Sequence, residues 1–86
     1  MNKLEEKTID KIRSLTGRND HFGARSLLAD AMKNKKMSNA YDNLAKLHKD
    51  FGHISGNFLK ARDDLDKSLM SQAASYSNFN DIRSAL

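Results

Sequence analysis

The chain has no cysteine and no proline, and only four glycines. Without cysteine there are no disulfide staples and no thiolate metal centres, and this usage fits a reducing, cytoplasmic setting. Without proline, no position carries a residue that blocks helix by its own ring. No apolar run approaches the roughly 18 residues of a membrane span. The first residues, MNKLEEKTIDK, are charged and periodic, unlike a secretion signal.

What is present is Lys, Leu, Ala, Asp and Ser, a composition of helices joined by short turns. At 86 residues the chain is a single domain, 1–86. A chain this small buries only about 60–65% of its extended surface, so added area from self-association would help it. The formal charge is +4, and it is unevenly placed. Residues 1–37 hold nine Lys/Arg against five Asp/Glu, whereas residues 38–86 hold six of each. The basic first part is an electrostatic footprint for an anionic partner, or else a solvated lysine-rich surface.

The expected fold class is all-α, with two shorter N-terminal helices and one long, kinked helix in a homo-oligomer. A first helix is expected over 2–16, capped by Asn2 with Glu5 behind it. Leu4, Thr8, Ile12 and Leu15 make its stripe, and Gly17 suits the left-handed position that ends it. A second helix over 20–33 starts at Asn19 or Asp20 and turns Ala24, Leu27, Leu28, Ala31 and Met32 inward. The polar run NKKMSN closes it, and Ser38 or Asn39 caps the next segment.

That segment carries the strongest periodicity. Leu44, Leu47, Phe51, Ile54, Phe58, Ala61 and Leu65 are spaced 3-4-3-4-3-4, the pattern of a coiled-coil seam. The seam keeps its phase through Ser55-Gly56-Asn57, which predicts one helix over 38–77, strained near Gly52 and Gly56. Such a helix would be about 60 Å long, more than two short helices can cover, so part of the seam should face another copy. The competing reading is a hairpin that turns at Ser55-Gly56-Asn57. Residues 78–86 form a tail or a short last helix.

Catalytic signals are thin. Asp63, Asp64 and Asp66 point to different sides of a helix, with Arg62 and Lys67 beside them. His48 and His53 are five apart, poor spacing for sharing a metal from one helix. No Ser/His/Asp order marks a nucleophile. Neither enzyme activity nor a metal or cofactor is expected. Duplex DNA is not favoured either, because Asp42 and Asp50 oppose phosphate approach near Asn39 and Asn43.

The stretch SLTGRNDHFGARS, residues 14–26, offers more. A helix start presents unpaired N–H groups and positive dipole density, which attract phosphate. Arg18 and Arg25 flank this start, and Lys36 follows in the next turn; these three are the candidate phosphate ligands. His21 and Phe22 lie in the same turn and are candidates for base stacking. Tyr41 is either a third stacking ring or a core residue. The plain alternative is helix punctuation with solvated arginines.

The C-terminal half contains FLKARDDLDKSLMSQAASYS. Leu59, Ala61, Leu65, Met70, Ala73 and Ala74 follow a helix pattern that resembles the anti-CBASS sponge family of small helical phage proteins. RSLT, Arg13–Thr16, resembles a short element ahead of the helices in some members. Asn57-Phe58 and the Ser/Asn-rich ending depart from that pattern, and no binding residue transfers by motif. The resemblance implies a non-enzymatic homo-oligomer, dimers assembling to a hexamer, acting in the cytosol of a bacterial host. It implies sequestration of cyclic di- or trinucleotide immune signals in pockets between subunits, leaving the nucleotide intact. The alternatives are a small basic regulator that binds nucleic acid or an acidic protein, and a coiled-coil adaptor.

Overall fold

The computed structural model describes residues 4–52, 55–76 and 79–86. These form five α-helices and, among the described residues, no strand. They are α1 (Glu6–Gly17), α2 (His21–Ala31), α3 (Lys35–Phe51), α4 (Gly56–Ala73) and α5 (Phe79–Ala85).

The first two turns are built alike. After α1, Asn19 takes a left-handed φ of 62°. Its N–H donates to the Thr16 carbonyl at 3.0 Å, and the Asp20 N–H donates to the Leu15 carbonyl at 2.9 Å. After α2, Lys33 takes the same φ of 62°. The Lys33 and Asn34 N–H groups donate to the Asp30 and Ala29 carbonyls, each at 2.9 Å. Both are Schellman endings, which satisfy carbonyls that a helix end would leave unpaired. In each case the residue that closes the ending also caps the next helix. Asp20 accepts from the Gly23 N–H at 2.9 Å, and Asn34 accepts from the Met37 N–H at 3.1 Å. A Cβ at Gly23 would stand 2.5 Å from the Asp20 carboxylate, so a larger residue there would push the cap aside.

Several local expectations change accordingly. Gly17 is the last helical residue of α1, and the left-handed position falls on Asn19. Glu5, without a side-chain cap bond, stands at the start of α1; Asn2 lies outside the described residues. Asn34 caps α3, so Ser38 and Asn39 sit within the helix they were expected to open.

The larger correction concerns the helix expected over 38–77, because two helices occupy that span. Gly52, at φ 63°, ends α3, and Ser55 starts α4 by accepting from the Phe58 N–H at 3.2 Å. The arms run antiparallel. Asn34 Nδ2 donates to Gln72 Oε1 at 3.0 Å, Tyr41 Oη donates to Asp66 Oδ1 at 2.8 Å, and the rings of His48 and Phe58 lie 6.2 Å apart. α3 ends at Phe51 and α4 begins at Gly56, and the 3-4 spacing of the apolar residues is the same on both arms. An antiparallel hairpin needs apolar residues on the inner face of both arms, as a continuous helix seam does. The periodicity could not tell them apart.

The core gathers where α1, α2, α3 and α5 meet the C-terminal part of α4. Ile12, Leu28, Tyr41, Leu69 and Ile82 are its largest fully buried side chains. Small residues let α2 and α3 approach closely. Ser26 and Ser38 are buried between them, and Ser26 Oγ donates to Asp42 Oδ1 at 2.8 Å. Tyr76 Oη donates to the Met32 carbonyl at 3.3 Å and ties the end of α4 to the end of α2. The opposite end of the hairpin is thinly covered: Leu47 is 46% exposed, Phe51 63% and Leu59 37%. Of the expected seam, Leu44 is buried, Phe58 and Leu65 are half-buried, and Ile54 lies outside the described residues. Among the described residues no helix is long and apolar enough to cross a membrane.

Candidate functional site

The first turn of α2 meets the hairpin near its open end. Asp20 fixes that turn through its cap, which directs His21, Phe22 and Arg25 towards α3 and α4. Together with His48, Phe58, Arg62, Asp66 and Leu86 they line a cleft of about 340 Å³. Three rings form its wall. The Phe22 centroid lies 5.6 Å from that of His48 and 6.1 Å from that of Phe58, and the Phe22–Phe58 pair meets edge to face at 77°. Such spacing is favourable for aromatic packing and leaves ring surface open on a cleft.

The charged part of the cleft is ordered from behind. Asp66 Oδ1 accepts from the Tyr41 hydroxyl at 2.8 Å and lies 3.5 Å from Arg25 Nε. Tyr41 is fully buried, and burial, then the bond to Asp66, pushes its hydroxyl well above its ordinary range. It therefore stays a neutral donor across ordinary pH and holds the Asp66 carboxylate in one place. That carboxylate in turn aligns the Arg25 guanidinium. Arg62 stands at the rim, with Nη2 3.5 Å from Asp63 Oδ1. His21 Nδ1 is buried and has no hydrogen-bond partner among the described residues. An unsatisfied buried ring nitrogen is costly, and a ligand polar group could satisfy it.

Of the six residues singled out from the sequence as ligand contacts, three come together in this cleft: His21, Phe22 and Arg25. The others do not. Arg18 is exposed in the turn between α1 and α2. Lys36 is exposed in the first turn of α3, some twelve residues before His48, or about 18 Å along the helix. The Tyr41 ring is enclosed by core and offers no face for stacking, because it points inward to support Asp66. His48, Phe58, Arg62 and Asp66 were not singled out as ligand contacts. Their placement depends on the hairpin, which folds α4 back against the start of α2.

A second concavity adjoins the first, since Phe58 lines both. It has a volume of about 390 Å³ and is apolar, lying between the arms of the hairpin beside Leu44, Leu47, Phe51 and Ala61.

No family model, curated protein or solved structure matches the chain. The geometry of the cleft therefore carries the functional reading.

Proposed function

We propose that this protein is a non-enzymatic binding module for a phosphorylated planar ring, that is, a nucleotide. The observation that carries this reading is the meeting of three rings and two guanidinium groups in one cleft. A base would stack against Phe22, His48 or Phe58. Its phosphate would face Arg25 and Arg62, whose planar forks suit phosphate oxygens. Asp66, in the same cleft, disfavours a bare anion and favours a ligand that also brings donors, as the edge of a base does.

The cleft volume is at the small end of ligand pockets and suits one base with its phosphate. A cyclic oligonucleotide would need more than one such cleft. Sequestration of a cyclic di- or trinucleotide by a homo-oligomer is therefore the specific form of the proposal. The helix pattern resembling phage anti-CBASS sponges supports that form, and with it a role in blunting bacterial cyclic-nucleotide signalling.

The test is equilibrium dialysis of the full chain against cyclic dinucleotides, cyclic trinucleotides and mononucleotides. Bound ligand is then recovered after heat denaturation. Retention of a cyclic nucleotide and its recovery intact is the expected result. Failure to retain any nucleotide overturns the ligand class, and recovery of cleaved ligand overturns the non-enzymatic part. Salt-sensitive retention of DNA or RNA alone would instead support the basic-regulator alternative.

A further inference from the structure

We infer that the ring-lined cleft selects guanine, with the Asp66 carboxylate accepting from the N1–H and the 2-amino group of the base. This selectivity rests on the nucleotide reading above and specifies its base. Three observations carry it.

The first is the acceptor capacity left at Asp66. An ionised carboxylate offers only acceptors, about four lone-pair sites in all. Among the described residues its partners are Tyr41 and Arg25, and both engage Oδ1: the hydroxyl at 2.8 Å and the guanidinium Nε at 3.5 Å. About two sites remain. The side chain keeps 27% of its surface exposed and lines the cleft, so water meets those sites in the free protein. A ligand that displaces this water must supply donors, or the carboxylate loses hydrogen bonds on binding.

The second is that the carboxylate is positioned in advance. Tyr41 is fully buried and stays a neutral donor, so Asp66 is held from the core side before any ligand arrives. Arg25 spends Nε on Asp66. Its outer nitrogens remain for oxygen acceptors, the O6 of the same base edge or the phosphate beyond it.

The third is the distance from the rings. Phe22 and Arg25 are three residues apart on α2, about 4.5 Å along the axis. A base stacked on Phe22 therefore brings an edge to the Arg25–Asp66 pair. On α4, Phe58, Arg62 and Asp66 follow at steps of four, which puts them on one face. Arg62 at the rim is left for the phosphate.

The common bases differ in what they offer a carboxylate. Guanine presents two adjacent donors, N1–H and the 2-amino group. Adenine presents its 6-amino group beside the acceptor N1, and cytosine its 4-amino group beside the acceptor N3. Uracil has one N–H between two carbonyls. Only guanine meets both free sites without setting acceptor against acceptor.

Equilibrium dialysis of the full chain against GMP, IMP and AMP, and against cyclic di-GMP and cyclic di-AMP, tests the selectivity. IMP keeps the N1–H and lacks only the 2-amino group. GMP should bind at least about tenfold more tightly than either IMP or AMP, and cyclic di-GMP should exceed cyclic di-AMP likewise. In Asp66→Asn the amide oxygen can still accept from Tyr41, which turns the amide donors towards the donors of guanine. That variant should lose the guanine preference while helical circular dichroism stays unchanged. The GMP and IMP comparison uses the unaltered protein, so it decides the matter even if Asp66→Asn fails to fold. Equal binding of GMP, IMP and AMP overturns the guanine assignment and leaves the nucleotide reading standing. A preference for adenine does the same, as does a guanine preference that survives in folded Asp66→Asn. Failure to retain any of the five ligands removes both.

Discussion

The two ends of the α3–α4 hairpin contrast sharply. At the end near Asn34 and Gln72, the arms are joined by a side-chain hydrogen bond and roofed by α1, α2 and α5, with Leu69, Ile12 and Ile82 fully buried. At the other end the same two helices carry Leu47, Phe51 and Leu59 into water, beside a ring-lined cleft. One 3-4 hydrophobic pattern thus serves two purposes. Where other helices cover it, it builds stability; where they stop, it leaves surface for recognition.

The largest expected effect breaks this contrast most directly. Leu28→Ala, in the covered region, should lower unfolding free energy by about 2–5 kcal/mol, because neighbouring side chains close only part of the resulting cavity. Leu47→Ala should cost the isolated subunit less than about 1 kcal/mol, since nearly half of that side chain is already wet. Urea denaturation at a dilution that disfavours self-association measures both. Equal losses would mean that the open end is packed as tightly as the covered one.

Next comes Tyr41, which links the two regions: its ring belongs to the core and its hydroxyl reaches Asp66 under the cleft. Tyr41→Phe should cost about 1–2 kcal/mol at neutral pH, the worth of a hydrogen bond to a charged group less some relaxation. The sign of the pH dependence follows from the raised folded-state value of this hydroxyl. Unfolding lets Tyr41 ionise at its ordinary value, about 10, whereas folding holds it neutral. Its contribution is therefore complete below about pH 10 and is lost as pH rises beyond it. Denaturation curves should show the wild-type and Phe variants converging in alkali. A gap that stays constant above pH 10 would remove the Tyr41–Asp66 bond from the account.

The third effect falls on binding alone. Arg62→Met at the rim should leave stability within about 0.5 kcal/mol, because only a surface ion pair with Asp63 is lost. Retention of a nucleotide should fall about tenfold, as expected when one charge-assisted phosphate contact disappears. Parallel dialysis and denaturation separate these readouts. If stability falls and retention does not, Arg62 belongs to the framework and not to the site.

Much of the helical architecture was legible, because Ile12, Leu28 and Leu44 each belong to an apolar stripe of helical spacing, and Asp20 was visible as a local polar cap, whereas the cap of α3 fell on Asn34 and not on Ser38 or Asn39. The reversal between α3 and α4 was not legible, because the apolar residues keep the same spacing on both arms and periodicity measures only that. Gly52 was visible as a point of strain; its left-handed φ is what turns strain into an ending. The same fault line divides the cleft. His21, Phe22 and Arg25 are neighbours in sequence and stood out together. His48, Phe58, Arg62 and Asp66 join them only through the antiparallel pairing of α3 and α4, as in the contact of Arg25 with Asp66, which no local pattern encodes. Tyr41 was ambiguous for a related reason, since an amphipathic ring fits both core and site until its neighbours are known.

The smallest effect sharpens the contrast from the covered side. Asn19 and Lys33 hold equivalent left-handed positions in two Schellman endings. Asparagine tolerates that conformation through its short polar side chain, whereas lysine gains nothing there and bears the steric cost of a Cβ facing its own carbonyl. Glycine avoids that cost but adds freedom to the unfolded chain, so the two terms partly cancel. Lys33→Gly should therefore stabilise the protein by about 0.5–1 kcal/mol, and Asn19→Gly by less, since asparagine starts from a lower penalty. Lys33 is exposed and lies outside both the cleft and the hairpin end, so retention and oligomer mass should not change. A thermal midpoint that rises without altering either readout would show that the covered end stabilises the fold independently of the surface at the open end. A shift in oligomer mass would show that the two ends are coupled through α3, which begins two residues after Lys33.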